Sequence, residues 1–187
     1  MGADQSVMSI PKLKSAPFPV TLTDPKFVLY HQVNLRLMKQ WHMDTFDIRD
    51  NEGTLFSHKT TIYDVDGNAV ANVRHVVGSI PPQYETAAGD GAGKVIMNSK
   101  ATFKFGTKDV NHKFVDAFSG ENIKLRSVMQ PFNFDGEVHL TGSDGSSIAV
   151  VAKFQKQGLG RRECTLAVAP GVDMVLICLI CIMLEYM

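Results

Sequence analysis

Met174 to Leu184 reads Met-Val-Leu-Ile-Cys-Leu-Ile-Cys-Ile-Met-Leu, eleven apolar residues without a break. A helix that is apolar on every side must be enclosed on every side. Eleven residues make about 16 Å of helix, half of a ~30 Å bilayer core. Asp173 precedes the run and Glu185 follows it. It is therefore too short to span a membrane, and protein is the expected enclosure. Most of the upstream chain reads as β-strand, so the expected picture is a sheet wrapped around a C-terminal helix spanning about 172–186.

The strand reading rests on period-two alternation between turn signals. Phe46 and Ile48 alternate with Asp47 and Arg49, and Ala71 and Val73 with Asn72 and Arg74. Phe103 and Phe105 alternate with Thr102 and Lys104, Ile123 and Leu125 with Lys124 and Arg126, and Val138 and Leu140 with Glu137 and His139. Ile148, Val150, Ala152 and Phe154 are expected to share one face. Turns are expected at Asp50–Gly53, Asp64–Asn68, Ser119–Asn122 and Ser143–Ser146. About ten such runs precede the apolar helix. A closed barrel removes exposed sheet edges, and an axial helix fills a lumen too wide for side chains alone.

With 187 residues, one domain is expected. Residues 1–25, with Pro11, Pro17, Pro19 and Pro25, read as a tail, and residues 26–187 as the barrel domain. Gly78 to Gly93, rich in Gly, Ala and Pro, reads as one long loop.

The stretch Val168-Ala169-Pro170-Gly171-Val172-Asp173, leading into the apolar helix, resembles the LURP-one-related proteins. These belong with the tubby C-terminal domains and phospholipid scramblases. The Phe46–Asp50 strand and the turns at Gly53 and Gly67 are similar to that family's early strands. The resemblance covers about Phe27 to Glu185. It implies a mainly β fold: a closed antiparallel barrel of about twelve strands around a central C-terminal helix. It also implies a non-catalytic protein tied to stress or defence responses. Peripheral attachment to membranes or phosphoinositides follows from the tubby branch. A scramblase-like lipid activity is the more distant implication, and a protein-interaction module working through Gly78–Gly93 without lipid is the rival.

Lys plus Arg and Asp plus Glu number 19 each, so no net field points to nucleic acid, and an electrostatic function must come from a local patch. Lys100, Lys104 and Lys108 sit at even spacing, expected on one strand face, with Lys113 following. Lys153, Lys156, Arg161 and Arg162 form a second basic segment. If the two converge they would grip an anionic lipid headgroup; the plainer reading is a solvated face that discourages edge pairing.

Met1-Gly2-Ala3-Asp4-Gln5-Ser6 matches the pattern for myristoylation of Gly2, though one such chain holds a membrane only marginally. The expected location is cytoplasmic and peripheral at the plasma membrane, since no secretory signal or Asn-x-Ser/Thr site is present.

Cys178 and Cys181 form a Cys-x-x-Cys in mid-helix, where packing outweighs redox or zinc chemistry. Cys164 is the third cysteine, and no disulfide framework is expected. The six histidines are scattered singly, at no metal-ligating spacing. Gly89–Lys94 lacks the first glycine of a phosphate loop, where Ala88 stands, and Val95 replaces its Ser/Thr. Asp64, Asp66 and Asn68 lack the glutamate of a calcium loop. No catalytic residues, cofactor or metal are expected.

Overall fold

A computed structural model describes residues 11–39, 46–49, 56–58, 60–104, 106–130, 135–156 and 163–186. The strands are β1 (Val33–Lys39), β2 (Phe46–Arg49), β3 (Phe56–His58), β4 (Thr61–Tyr63), β5 (Ala69–His75) and β6 (Gln83–Ala88), followed by β7 (Val95–Lys104) and β8 (Thr107–Val115). Then come β9 (Asn122–Met129), β10 (Gly136–Thr141), β11 (Ser147–Lys156) and β12 (Glu163–Val168), and the helix α1 (Met174–Tyr186).

All twelve strands join one antiparallel sheet in the order β2-β1-β12-β11-β10-β9-β8-β7-β6-β5-β4-β3. From β3 to β12 the chain meanders from neighbour to neighbour. The one departure is β1, which reaches back to pair with β12 and brings β2 with it. The end strands β2 and β3 lie against each other. Among the described residues no hydrogen-bonded ladder joins them, so the expected closed barrel is observed as one wrapped sheet with a seam.

The helix is enclosed as its sequence demands. Met174 through Leu184 are all 6% exposed or less. Alternation supplies the lining: Leu35, Leu37, Val73, Met97, Val110, Leu125, Leu140 and Leu166 all point inward and are buried.

Three sequence expectations change. The stretch read as a tail is seated on the sheet from residue 11 onward, with Leu13, Val20, Leu22 and Phe27 buried. Its prolines interrupt regular structure without preventing single apolar anchors. The Gly78–Gly93 loop is two turns separated by β6, in which Tyr84 and Thr86 are buried while Gln83 and Glu85 are half-buried. Its small residues hid that alternation. In β11 the shared face breaks, because the register against β10 shifts between Val138 and His139. The extra residue reverses the alternation, leaving Ile148 exposed while Val151, Ala152 and Phe154 are buried.

The two ends of the helix differ. At its start, which we term the capped end, Gly171 adopts a positive φ of 84°, a turn few side chains accommodate. Gly171 N–H bonds Leu29 O at 2.7 Å, and its own carbonyl accepts from Val20 N. Residues 16–29 thus thread across the chain leading into α1. The other end, which we term the open end, holds the turn 76–82 and the β7–β8 hairpin.

Candidate functional site

Lysines are the first candidates, and the sheet scatters them. Lys100 is exposed on β7, directly opposite Gln83 at the start of β6. Lys108 is not on the same strand, because the chain turns at Gly106 (φ 80°) between them. It lies opposite Phe103, in the inward register of Val110 and His112, and its Nζ donates to Leu184 O at 3.1 Å. That lysine caps the helix end. Lys153 pairs with Glu137 at 2.7 Å on the outer wall. From β7 to β11 is four strand spacings, about 19 Å along the sheet at ~4.8 Å each. Lys100 and Lys153 therefore share no groove.

The side chains of Lys104 and Lys156, and Arg161, Arg162 and Gly2 as whole residues, lie outside the described set. Elsewhere on the outer wall Lys113 and Lys124 oppose each other across β8 and β9. Arg126 grips Asp109 with Nε at 2.9 Å from Oδ1 and an Nη at 2.6 Å from Oδ2. That charge pair raises the Arg126 pKa further.

A polar row instead crosses the inner face. Strand register places His75 opposite Tyr84, Tyr84 opposite Ser99, and Ser99 opposite His112. His112 is fully buried, with Nδ1 2.8 Å from Ser99 Oγ and Nε2 2.9 Å from Ser127 Oγ. Desolvation holds its pKa down to about 3, against a weaker pull from Asp109. A neutral imidazole with one donor and one acceptor nitrogen suits two hydroxyls, each able to donate or accept. No substrate reaches so enclosed a group, and its proton affinity is far too low for a base near neutrality. Its role is to satisfy polar groups against the helix.

The outer end of this row is open. Thr60, Val73, His75, Tyr84 and Met183 line a cavity of about 300 Å³ beside the helix end. The rings of His75 and Tyr84 stand 5.2 Å apart and tilted by 60°. Tyr84 is 7% exposed, and burial raises its pKa above 10. The adjoining turn 76–82 carries Val77 and Ile80 at 91% and 90% exposure. It is tied to β7 by Ala101 N to Pro82 O at 2.9 Å, which sets it beside Lys100.

At the capped end two carboxylates hold the N-terminal segment. Asp173 Oδ1 accepts from Val175 N at 2.9 Å and Leu176 N at 3.3 Å, capping the helix. Its Oδ2 accepts from Leu22 N, Thr23 N and Thr23 Oγ1 at 2.9–3.1 Å. Burial pushes the Asp173 pKa up, opposed by these donors. Asp116 Oδ2 accepts from Thr21 N at 2.6 Å, while its Oδ1 accepts from Phe118 N and Ser119 N. Cys178 and Cys181 are buried, and desolvation raises both thiols, which makes them packing groups at neutral pH.

The polar row and cavity were missed by sequence reasoning. Their signal was polar side chains at inward strand positions: Ser99, His112 and Ser127 where alternation called for apolar ones. Tyr84 was hidden inside a stretch read as loop.

A wrapped antiparallel sheet swallowing its own C-terminal helix defines a tubby-like domain. The sequence profile described as LURP-one-related matches residues 37–185, and the chain belongs to that family. No curated protein and no solved structure matches it.

Proposed function

We propose that this LURP-one-related domain is a non-catalytic tether that attaches reversibly to anionic membrane surfaces by its open end, as part of stress or defence signalling. In this reading the wrapped sheet acts as a closed tubby-like barrel and the protein works in the cytoplasm, at the plasma membrane. The observation that carries it is the pair Val77 and Ile80, almost fully exposed on one turn beside Lys100. Burying two such aliphatic side chains is worth about 1.5–3 kcal/mol each, and a lysine near an anionic leaflet about 1 kcal/mol. The sum suits reversible attachment.

α1 is shorter than a span, and no described helix is long and apolar enough to cross a membrane. α1 occupies the wrapped interior, and on that ground the tether is preferred to a scramblase-like activity. Gly2 acylation would add a second anchor. The chain enters the described structure at the capped end, where Leu13 N meets Gln32 Oε1 at 2.7 Å, opposite the end that carries the Val77–Ile80 turn.

The separation of Lys100 from Lys153 favours a second reading, in which the same turn docks a protein and lipid plays no part. Flotation with vesicles of phosphatidylcholine alone, or with phosphatidylserine and a phosphoinositide added, separates the two. The tether reading expects binding to the anionic vesicles, reduced by Lys100→Glu and lost in Val77→Asp/Ile80→Asp. Equal absence of binding to all vesicles by the native chain would sink it.

A further inference from the structure

The cavity beside the helix end is lined by a phenol from β6. Tyr84 is 7% exposed, yet among the described residues its hydroxyl has no hydrogen-bond partner. Deeper in this inner row His112 satisfies Ser99 and Ser127, and a hydroxyl that loses solvent without gaining a partner costs free energy. A phenol is a donor throughout the neutral range, and burial of Tyr84 strengthens that preference. No described residue supplies it an acceptor.

Val73 and Met183 supply apolar wall, and Thr60 and His75 add polar groups at the same cavity. Its volume of about 300 Å³ sits at the lower end of small-molecule sites. That suits one short aliphatic chain. We propose that this cavity binds a small amphiphile, its aliphatic body against Val73 and Met183 and its oxygen acceptor taking the hydrogen of the Tyr84 hydroxyl. The site is independent of membrane attachment, since a dissolved ligand needs no bilayer.

The test uses the full chain labelled with ¹³C-methyl methionine and titrated with octanoate below its micelle-forming concentration. Met183→Leu assigns the reporter resonance. The Met183 methyl is expected to shift saturably, while the methyl of Met174, at the far end of the helix, stays in place. Tyr84→Phe keeps the ring and is expected to weaken binding about three- to tenfold, the worth of one hydrogen bond. Val73→Phe fills the cavity and is expected to abolish the shift. The proposal is overturned if Met183 does not move, if Met174 moves equally, or if Tyr84→Phe binds octanoate as tightly as the native chain.

Discussion

The two ends of α1 are built on opposite principles. At the capped end the buried carboxylates of Asp173 and Asp116 each have several described donors, drawn from residues 21–23 as well as from their own turns. At the open end the Tyr84 hydroxyl has no acceptor among the described residues, a cavity adjoins Met183, and two aliphatic side chains stand in solvent. One end spends its polar groups on stability and the other leaves them available. Binding loops are drawn from regions of low local stability, and both the proposed attachment turn and the proposed ligand cavity fall at the end with fewer described internal bonds.

The largest effect should come from Asp173. Asp173→Ala removes the acceptor for four backbone N–H groups and one hydroxyl. With each buried unmade group costing about 1–3 kcal/mol and water relieving some, the loss should be on the order of 4 kcal/mol or more. Asp173→Asn keeps an oxygen for Val175 and Leu176 but turns an amide toward the Leu22 and Thr23 donors. Urea unfolding should therefore rank native above Asn above Ala, with proteolysis near residues 16–28 appearing first in Asn. Equal midpoints for the three proteins would erase the contrast between the ends.

His112, midway between the ends, sets a pH dependence of the next size. Its folded pKa of about 3 lies below the ordinary 6.5, so the unfolded chain binds the extra proton. Stability rises with pH where the unfolded state holds more protons. This group's contribution is thus lost as pH falls from 6.5 toward 3, by at most about 1.4 kcal/mol per unit. Asp173 acts the other way: its folded pKa is raised above 3.8, so its contribution declines as pH rises through the window above that value. His112→Gln should flatten the acid limb measured by denaturant unfolding at successive pH values. An unchanged slope would mean that the buried imidazole titrates with the solvent.

Much of this architecture was legible because burial has a simple signature. An unbroken apolar run must be enclosed, and alternation alone marks Val73, Leu125 and Leu140 as lining. Most of the misreadings share one cause, which is that contacts distant in sequence decide them. Val20 and Leu22 are ordinary apolar residues among prolines until Gly171 and Asp173, about 150 positions away, supply their partners. Lys100 and Lys108 have the spacing of one strand face, and only the hairpin between them sends Lys108 inward. A headgroup site depends on convergence, which the order of twelve strands controls and spacing along the chain does not record. Tyr84 was lost for a local reason: small neighbours in Ala87-Ala88-Gly89 resembled loop composition more than strand.

Lys108 offers the smallest and most local way to sharpen the contrast. Its Nζ meets Leu184 O at 3.1 Å, where the helix has no basic residue of its own in the last turn. A cation at a helix C-terminus is worth about 0.3–1 kcal/mol, and the hydrogen bond adds a comparable amount. Lys108→Met keeps the aliphatic stem and removes both. Global stability should fall by about 1 kcal/mol, a change that urea unfolding resolves only narrowly. Amide exchange is the more telling measurement: Ile182 to Tyr186 should exchange faster while Val175 to Cys178, anchored by Asp173, stay protected. If both halves of α1 quicken together, the helix opens as one unit and its ends are not independently held; if only the last turn responds, the open end is the loose one, and the cavity beside Met183 can widen without disturbing the cap.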